Sequence, residues 1–399
     1  MPRIAFYSHD TMGLGHVRRN LLLAESLTSR DPTMTALLVS GVHLGAAFHM
    51  PPNVDCVTLP AIAKHAEDGA YGSRHLAVPL TRMTRLRMRT TRAALLAFDP
   101  DLVVIDNVPR GAMGEAEPAL AALKARGRAR LVLGLRDVLD EPEAVAREWR
   151  RSGHHEAIAR YYDQVWVYGD PAIYDVAREC GFPPSTCCRI EYVGYLDRRR
   201  PCRPYGAAEA VDALPPEFAL CMTGGGQDGS MLALAFARAR SRRCPRVVVG
   251  GPFLPDAARQ ELRDLARADP DLRVLDFVSD ATSLVEKASR VVTMGGYNSV
   301  CEALAYAKPT LIVPREWPRR EQAIRAERLA TLGLADVLPW TEISDHAIRR
   351  WLEAAVPSRP AVAMNFGALD RVGELVTRLL GARTRPAWPA VIGRRLRAS

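Results

Sequence analysis

The sequence predicts an α/β fold made of two Rossmann-like domains, whose parallel sheets face a central cleft. Its 399 residues exceed the usual size of one domain and suit two domains of about 200 residues each. Short β-branched runs alternate with amphipathic stretches along most of the chain, which is typical of βαβ units. Continuous apolar runs, such as LVVID at 102–106 and LVLGL at 131–135, indicate strands covered on both faces. These observations predict a doubly wound parallel sheet in each half.

The first domain is assigned to residues 1–197, where strand-like and helix-like segments alternate. This alternation predicts successive βαβ units. The candidate helices are residues 16–30, 76–98, 115–126 and 173–180. The candidate strands are residues 4–8, 35–40, 54–59, 102–106, 131–135, 165–168 and 190–193.

The second domain is assigned to residues 217–365, after a segment that breaks the pattern. Residues 198–216 contain arginines and prolines with little periodicity, so we interpret them as a linker. Residues 366–399 hold a further candidate helix at 367–378 and a basic tail. The candidate strands of the second domain are residues 218–222, 246–249, 274–278, 291–294, 311–313 and 335–338.

The chain is basic, with a formal net charge of +9 and a sequence pI of about 9.3. Such a charge suits anionic partners: nucleotides, nucleic acid or an anionic membrane surface. No aromatic-rich stacking motif accompanies the charge, so nucleic acid is not the expected partner. Four arginines share one face of the candidate helix 76–98, which is either a solvated face or a docking patch for a membrane or an anionic acceptor. They are Arg82, Arg85, Arg89 and Arg92.

The sequence also predicts a location. It contains no apolar run of about 18 residues, and its first residues, MPRIAFYSHD, lack the layout of a secretory signal. We therefore expect a cytoplasmic protein, with a peripheral position at the inner face of the membrane as the alternative. The eight cysteines include no CxxC pair and no zinc-ligand spacing, which supports this placement, and we interpret most of them as small buried side chains or incidental thiols.

A glycine-rich segment follows the strand at 218–222. Gly224, Gly225 and Gly226 precede Gln227, and an amphipathic helix follows at 231–240. Glycines let a phosphate approach bare backbone N–H groups, and a helix N-terminus adds partial positive charge. The segment therefore predicts a diphosphate site, with a purely structural tight turn as the alternative.

A second glycine pair ends the strand at 291–294. Gly295 and Gly296 open a helix whose first turn carries Asn298 and Ser299, which could contact phosphate oxygens. Glu302 lies one helical turn after Ser299 on the same side, where a carboxylate can accept two hydrogen bonds from ribose hydroxyls. The alternative is that Ser299 and Glu302 form a capping box, but that would not account for the two glycines.

The C-terminal half resembles the GT-B glycosyltransferases of the MurG type, the peptidoglycan N-acetylglucosaminyltransferases. The segments that carry the resemblance agree in order and spacing over roughly residues 218–335. They are Gly224 to Gly229, Asp276 to Asp280, Gly295 to Glu302, and Pro314 to Gln322. The resemblance implies a GT-B fold, a UDP-sugar or related donor, and a C-terminal helix that crosses back onto the first domain.

The resemblance also implies roles for single residues. Gly225, Gly226 and Ser299 would contact the diphosphate, and Glu302 the ribose. A uracil-like base would pair with the backbone of Val278, and Glu321 and Gln322 would meet sugar hydroxyls; alternatively, these two only open the helix at 320–332. The full donor-binding set is Gly13, Gly15, Gly225, Gly226, Gln227, Phe277, Val278, Gly296, Asn298, Ser299, Glu302, Glu321 and Gln322.

The candidate general base is His16, in the loop Gly13-Leu14-Gly15-His16 that follows the first strand. A helix N-terminus disfavours the imidazolium, so His16 can accept the acceptor's proton. A structural cap or a phosphate contact is the alternative role. Asp106 and Asp137, which end other strands beside Asn107 and Arg136, could act as base instead or orient the acceptor, with helix capping as the alternative role.

The expected reaction is hexosyl transfer from a nucleoside-diphosphate sugar to an acceptor hydroxyl or amine, by single displacement with inversion. The acceptor is a small molecule or a lipid-linked glycan, which points to natural-product or cell-envelope glycosylation. No cofactor or metal is expected beside the nucleotide-sugar co-substrate. The alternatives are a UDP-sugar 2-epimerase-like isomerase or hydrolase of the same fold, and a non-catalytic nucleotide-sugar or nucleic-acid binding protein.

Overall fold

The computed structural model describes residues 1–10, 14–42, 50–64, 71–199, 214–225, 228–278, 281–356 and 364–381. Some of the residues named in the sequence predictions lie outside these ranges. They are Gly13, Gly226, Gln227, Ser279, Asp280, most of the linker 198–216 and the tail after residue 381.

The first sheet contains seven parallel strands in the order β3-β2-β1-β6-β7-β8-β9. A small antiparallel pair, β4-β5, lies beside it. In the seven-stranded sheet, the fully buried strand β6 is the continuous apolar run at 102–106. The strands are β1 (Arg3–Ser8), β2 (Thr35–Ser40), β3 (Val54–Thr58), β4 (Ile62–Lys64), β5 (Tyr71–Ser73), β6 (Leu102–Asp106), β7 (Arg130–Arg136), β8 (Gln164–Tyr168) and β9 (Ile190–Tyr192).

Helices of the first half cover both faces of this sheet, as in a doubly wound fold. A short 3₁₀ helix, Ala112–Gly114, follows β6. The helices are α1 (Gly15–Arg30), α2 (Leu80–Phe98), α3 (Glu117–Arg126), α4 (Pro142–Arg151), α5 (His154–Tyr161), α6 (Val176–Glu179) and α7 (Pro184–Cys187).

The second sheet contains six parallel strands in the order β12-β11-β10-β13-β14-β15. The strands are β10 (Phe218–Met222), β11 (Arg246–Val249), β12 (Leu272–Leu275), β13 (Ala288–Thr293), β14 (Thr310–Ile312) and β15 (Asp336–Val337). The helices are α8 (Ser230–Arg238), α9 (Asp256–Ala268), α10 (Thr282–Lys287), α11 (Tyr297–Ala305), α12 (Glu321–Thr331), α13 (Asp345–Glu353) and α14 (Ala368–Gly381). The α/β fold class with parallel sheets is therefore confirmed.

Several predicted boundaries differ from the structure by a few residues, and two of these differences have identifiable reasons. Helix α2 begins at Leu80 rather than at residue 76, because extended Pro79 is its N-cap and a proline disfavours helical backbone at the residue before it. Strand β12 ends at Leu275, so Phe277 and Val278 lie in the loop after the strand rather than in it. That loop lies at the carboxyl edge of the sheet, where ligands of open α/β sheets bind.

The C-terminal helix α14 packs against the first domain, next to α1. Its apolar residues Leu369 and Val372 share one hydrophobic core with residues of α1 such as Leu23. The backbone N–H of Tyr195 donates to the carbonyl of Asn365 at 2.7 Å, and Arg30 pairs with Asp370. The chain thus returns to the first domain before its end, which ties the two domains together outside the cleft.

Candidate functional site

The two domains meet where helices α1 and α11 begin. The Asn298 side-chain amide donates to the Gly15 carbonyl at 3.1 Å, which brings the two helix N-termini together. A cavity of about 190 Å³, called here the junction cavity, opens at this point. Its lining is Leu14, Gly15, His16, Arg18, Arg19, Arg136, Met222, Gly224, Gly225, Val249, Gly251, Phe277, Val278, Ala281, Gly296, Tyr297, Asn298, Ser299 and Glu302.

A second cavity of about 580 Å³ adjoins the first around His16, Arg136 and Gly296. We call it the basic cleft, because arginines and histidines outnumber the acidic residues in its wall. Its polar lining includes His9, His16, Asn107, Arg110, Arg136, Glu148, Arg151, His154, Arg315, Arg319, Glu321, Gln322 and Arg325.

His16 forms a hydrogen-bonded pair with Asp106 at the carboxyl edge of the first sheet. The His16 Nδ1 lies 3.0 Å from Asp106 Oδ2, and both oxygens of Asp106 also accept from Arg19 Nη2, at 2.6 and 2.7 Å. Although burial alone would raise it, Arg19 and His16 hold the pKa of Asp106 well below its usual range. Arg19 Nη2 also lies 3.0 Å from His16 Nδ1. In the tautomer whose Nδ1–H donates to Asp106, Nε2 is the nitrogen that can accept a proton.

This geometry distinguishes the roles proposed for His16 and Asp106. His16 is not a helix cap, since the N-cap of α1 is Leu14 and no side chain caps that helix. Asp106 is buried with both oxygens already bonded, so it does not fit the role of the base. It fits instead the role of a group that orients His16.

Asp137, the other candidate base, is held by an arginine of the second domain. Arg325 Nε and Nη2 donate to its two oxygens at 2.9 and 2.7 Å, and both side chains are fully buried. Arg325 Nη1 also donates to the Gly295 carbonyl at 2.8 Å. The carboxylate is therefore committed to a contact between the domains, and Asp137 as base does not fit this geometry.

The first glycine segment faces the junction cavity through Gly224 and Gly225. Gly224 has a φ of +67°, a left-handed backbone that favours glycine, so this position is needed for the turn itself. The Gly225 carbonyl accepts from the Phe253 N–H at 2.9 Å. A structural role in the turn is therefore compatible with a phosphate contact at the same segment.

Glu302 is fully buried in the second domain, but its carboxylate is bonded by two arginines that lie outside this domain. Arg18 Nη2 donates to Glu302 Oε1 at 2.7 Å, and Arg198 Nε lies 3.1 Å from the same oxygen. The capping-box alternative is wrong, because the N-cap of α11 is Gly296 and no side chain caps this helix. Ser299 lies within the first turn and lines the junction cavity.

Asn298 lies at the start of α11, and it lines the junction cavity. Its amide nitrogen donates to the Gly15 carbonyl at 3.1 Å, but an amide carries two N–H groups, so this bond does not occupy the side chain fully. The helix N-terminus also presents backbone N–H groups to the cavity beside Gly296. The side chain and the backbone are therefore both candidate phosphate contacts.

Glu321 and Gln322 begin helix α12 and are held by Arg315. Arg315 Nη2 donates to Glu321 Oε1 at 3.0 Å, and the Arg315 N–H donates to Gln322 Oε1 at 3.3 Å. Glu321 Oε2 is buried and accepts no hydrogen bond. A sugar hydroxyl could donate to this oxygen, so the predicted contact with the donor sugar stays compatible with the structure.

Phe277 and Val278 also line the junction cavity. The Phe277 ring is partly exposed, at 36%. An exposed aromatic ring in a cavity wall suits stacking with a planar base.

Two polar residues of the cleft were given no role by the sequence analysis. Buried His9 follows β1, and its ring lies 5.3 Å from that of His16. Burial, followed by the charge of His16, lowers the pKa of His9 to about 3. Arg136 is the last residue of β7 and lines both cavities. Their position directly at strand ends is the signal that could have identified them.

The arginine face of α2 is exposed. Arg82, Arg85, Arg89 and Arg92 point away from the buried side of the helix, where Arg87 bonds Glu115. Leu86, in the middle of this face, is also exposed. None of the helices in the described part of the chain is long and apolar enough to span a bilayer.

The sequence of this chain is similar to known glycosyltransferases, most clearly in its second half. Residues 247–367 match the glycosyltransferase family 28 C-terminal domain. A UDP-N-acetylglucosamine--N-acetylmuramyl-(pentapeptide) pyrophosphoryl-undecaprenol N-acetylglucosamine transferase of Rubrobacter xylanophilus is 28% identical over 273 residues, 66% of this chain and 74% of that protein. The transferase of the same name from Chelativorans sp. is 26% identical over 137 residues, 30% of this chain and 36% of that protein.

Solved structures share the whole fold at low sequence identity. The calicheamicin glycosyltransferase CalG4 has a TM-score of 0.60 at 20% identity, covering 96% of this chain and all of that chain. Acinetobacter baumannii MurG has a TM-score of 0.55 at 12% identity, covering 95% of this chain and 100% of that one. The UDP-GlcNAc 2-epimerase of Methanocaldococcus jannaschii has a TM-score of 0.60 at 12% identity, covering 96% of this chain and 100% of that one. The fold is therefore shared by transferases and epimerases, whereas the sequence matches named here are to transferases.

Proposed function

We propose that this chain, a glycosyltransferase of the GT-B fold similar to the MurG-type enzymes, inverts the anomeric centre of a UDP-sugar as it transfers the sugar to an acceptor hydroxyl or amine. The observation that carries the proposal is the pair of His16 Nδ1 and Asp106 Oδ2 at 3.0 Å. This pair lies where the junction cavity and the basic cleft meet. A candidate base thus faces the helix N-terminus of α11, where a diphosphate would bind.

In the proposed reaction, the acceptor oxygen or nitrogen attacks the anomeric carbon of the donor. Its proton passes to His16 Nε2, and Asp106 stabilises the imidazolium that forms. The bond between the anomeric carbon and the β-phosphate oxygen breaks, and its electron pair stays on the UDP that leaves. A single displacement on one face of the sugar inverts the anomeric configuration.

The donor is proposed to lie along the junction cavity, with its base at Phe277 and Val278. Its diphosphate lies against Gly225 and the first turn of α11, where N–H groups and the helix dipole favour negative charge. The sugar extends towards Glu321 and Gln322 in the basic cleft. Support comes from one continuous path of cavities: a small cavity of about 140 Å³ links Gly225, Ser299 and Gln322.

Glu302 is proposed to accept the ribose hydroxyls, which requires it to change partners. In the structure Arg18 and Arg198 bond the same Glu302 oxygen. A ribose hydroxyl therefore either takes the remaining acceptor capacity of the carboxylate or displaces one arginine. Arg18 comes from the first domain, so donor binding and the contact between the domains are coupled in this proposal.

The acceptor is proposed to be a small molecule or a lipid-linked glycan with an apolar portion. A mainly apolar cavity of about 890 Å³ adjoins the junction cavity through Leu14 and Phe277. Apolar walls with few polar groups are typical of small-molecule sites. Its lining includes Val42, Leu59, Pro60, Ala61, Ile62, Leu76, Pro252 and Phe253.

A lipid-linked acceptor would be reached at a membrane surface, and we propose the arginine face of α2 for that contact. Exposed Arg82, Arg85, Arg89 and Arg92 surround exposed Leu86. Each basic residue near an anionic membrane contributes about 1 kcal/mol of attraction. This arrangement supports a peripheral position at the membrane, next to the cytoplasm.

The test of the function is the fate of the sugar when the purified protein meets a panel of UDP-sugars and candidate acceptors. Transfer to an acceptor with inverted configuration, detected by NMR of the anomeric proton, supports the proposal. Release of an epimerised sugar, with no transfer to any acceptor, would instead favour the isomerase or hydrolase alternative.

A further inference from the structure

Arg136 occupies a singular position at the end of β7. Its side chain lines both the junction cavity and the basic cleft, and so lies between the predicted diphosphate and sugar positions. On one side it shares a cavity with Gly225, Gly296 and Ser299. On the other it shares a cavity with His16 and Glu321.

Most other arginines in these walls are neutralised by carboxylates. Arg18 bonds Glu302, and Arg19 bonds Asp106. Arg110, Arg315, Arg319 and Arg325 pair with Glu117, Glu321, Glu148 and Asp137, respectively. Each of these guanidinium groups is therefore already charge-compensated.

The Arg136 side chain forms no hydrogen bond or ion pair with the residues that the structure describes, and its Nε is buried without a partner. Arg151, the remaining arginine of the cleft wall, is exposed to solvent and so needs no counter-ion. Burial lowers the pKa of Arg136 to about 10, with Glu321 opposing and Arg19 and Arg325 adding to the effect. The group nevertheless stays charged at neutral pH.

A guanidinium held in a cleft without a partner is costly unless a ligand supplies the missing anion. The arginine fork matches the oxygens of a phosphate, to which it can donate two hydrogen bonds. Arg136 lies between the N-terminus of α11 and Glu321, which is where the proposed donor would place the β-phosphate that carries the sugar.

We infer that Arg136 binds the β-phosphate of the nucleoside diphosphate and neutralises the charge that gathers there as the sugar leaves. The inference rests on the proposed function, since it names a residue for the leaving-group end of that reaction. When the bond from the anomeric carbon to the β-phosphate oxygen breaks, the electron pair moves onto that oxygen. A guanidinium in contact with it stabilises this state more than the ground state, which raises kcat.

The same guanidinium could instead hold a carboxylate or phosphate of the acceptor. Comparison of UDP with UMP separates these sources, because the two nucleotides differ only in the β-phosphate. Binding of both is measured by calorimetry with the wild-type protein and with Arg136→Met, Arg136→Lys and Arg349→Met. Arg349 is an exposed arginine on α13 that lines neither cavity and serves as the matched control.

The inference predicts that Arg136→Met weakens UDP binding about ten- to hundredfold and leaves UMP binding unchanged. Arg136→Lys keeps the charge but loses the fork, and it retains part of the preference for UDP. Arg349→Met retains the wild-type ratio. If Arg136→Met and Arg136→Lys keep the wild-type UDP-to-UMP ratio while they fold normally, the inference is wrong.

The turnover number kcat provides a second measurement. If Arg136 had only a structural role, added guanidinium would not restore kcat in a variant that lacks this side chain. Arg136→Ala is expected to lower kcat about 10²- to 10³-fold, and millimolar guanidinium should restore part of the activity. A rise in acceptor KM with an unchanged kcat would assign Arg136 to the acceptor and overturn the inference. If the wild-type protein binds UDP but transfers no sugar, the proposed function fails while the nucleotide comparison still decides the role of Arg136.

Discussion

Arg325 on α12 and Asp137 after β7 form a two-pronged ion pair between the domains, at 2.9 and 2.7 Å, with both side chains buried. Loss of one partner leaves a buried charge without compensation, which typically costs about 3–5 kcal/mol. We therefore expect Asp137→Asn and Arg325→Met to lower the midpoint of thermal unfolding clearly, as measured by calorimetry.

The same helix offers a control for this prediction. Arg328 bonds Glu179 of the first domain at 2.8 Å, but this pair is largely exposed. Exposed pairs contribute about 0–1 kcal/mol, so Glu179→Gln should leave the unfolding midpoint nearly unchanged. Equal effects of the buried and the exposed substitution would contradict the importance we assign to the Asp137 contact.

Glu302 provides a test of the ribose position. UDP stabilises the wild-type protein against heat by an amount that grows with the logarithm of its affinity, and Glu302→Ala should abolish most of that shift. The effect should be larger for UDP than for its 2′-deoxy analogue, because the analogue lacks one of the two hydroxyls that the carboxylate would accept from. Comparison with Arg18→Met separates loss of the ribose contact from loss of the contact between the domains. An undiminished UDP shift in Glu302→Ala would remove Glu302 from the donor site.

His9 makes the stability of the fold sensitive to acid. Its pKa is lowered to about 3 in the folded protein, mainly by burial, against about 6.5 in the unfolded chain. The unfolded chain therefore binds more protons, and stability contributed by neutral His9 is lost as the pH falls from about 6.5 towards 3. The slope is at most about 1.4 kcal/mol per pH unit.

Denaturation at several pH values measures this contribution. His9→Gln should show a weaker dependence on pH between 6.5 and 4 than the wild-type protein. His346→Gln, which changes an exposed histidine of α13, should keep the wild-type slope. If His9→Gln also keeps that slope, His9 is not buried in its neutral form.

The arginine face of α2 predicts binding to anionic vesicles. Replacing Arg82, Arg85, Arg89 and Arg92 by glutamine should greatly weaken sedimentation with vesicles that contain phosphatidylglycerol, since each arginine contributes about 1 kcal/mol. Neutral vesicles should bind neither protein, and added salt should weaken the wild-type interaction. The control removes the same charge from scattered exposed positions, namely Arg160, Arg178, Arg267 and Arg349. Equal losses in both variants would show a general charge effect instead of a docking face.

The sequence predicted most of the strands because buried parallel strands are continuous apolar runs, as β6 and β10 are. It also placed the glycine segments and His16 at the carboxyl edges of their sheets. It did not predict the short pair β4-β5, whose strands span three residues each and carry too little pattern.

Partners across the cleft could not be predicted from the sequence. Glu302 and Arg18 are 284 residues apart, and Asp137 and Arg325 are 188 residues apart. Local spacing contains no information about such contacts, so the sequence alone leaves Asp137 as a candidate base, although Arg325 holds it in the fold. The sequence shows Arg136 only as the end of a strand, because the lack of a counter-ion is a property of the folded cleft.

The most direct test of the central claim combines donor binding with turnover in His16→Ala and Asp106→Asn. Both variants should bind UDP like the wild-type protein, since neither residue is proposed to hold the nucleotide, while sugar transfer falls about 10²- to 10⁴-fold. The measurement is the rate of transfer of a radiolabelled sugar from a saturating UDP-sugar, beside calorimetric UDP affinity. Normal transfer by His16→Ala would contradict the account, because the pair of His16 and Asp106 would then not take the acceptor's proton.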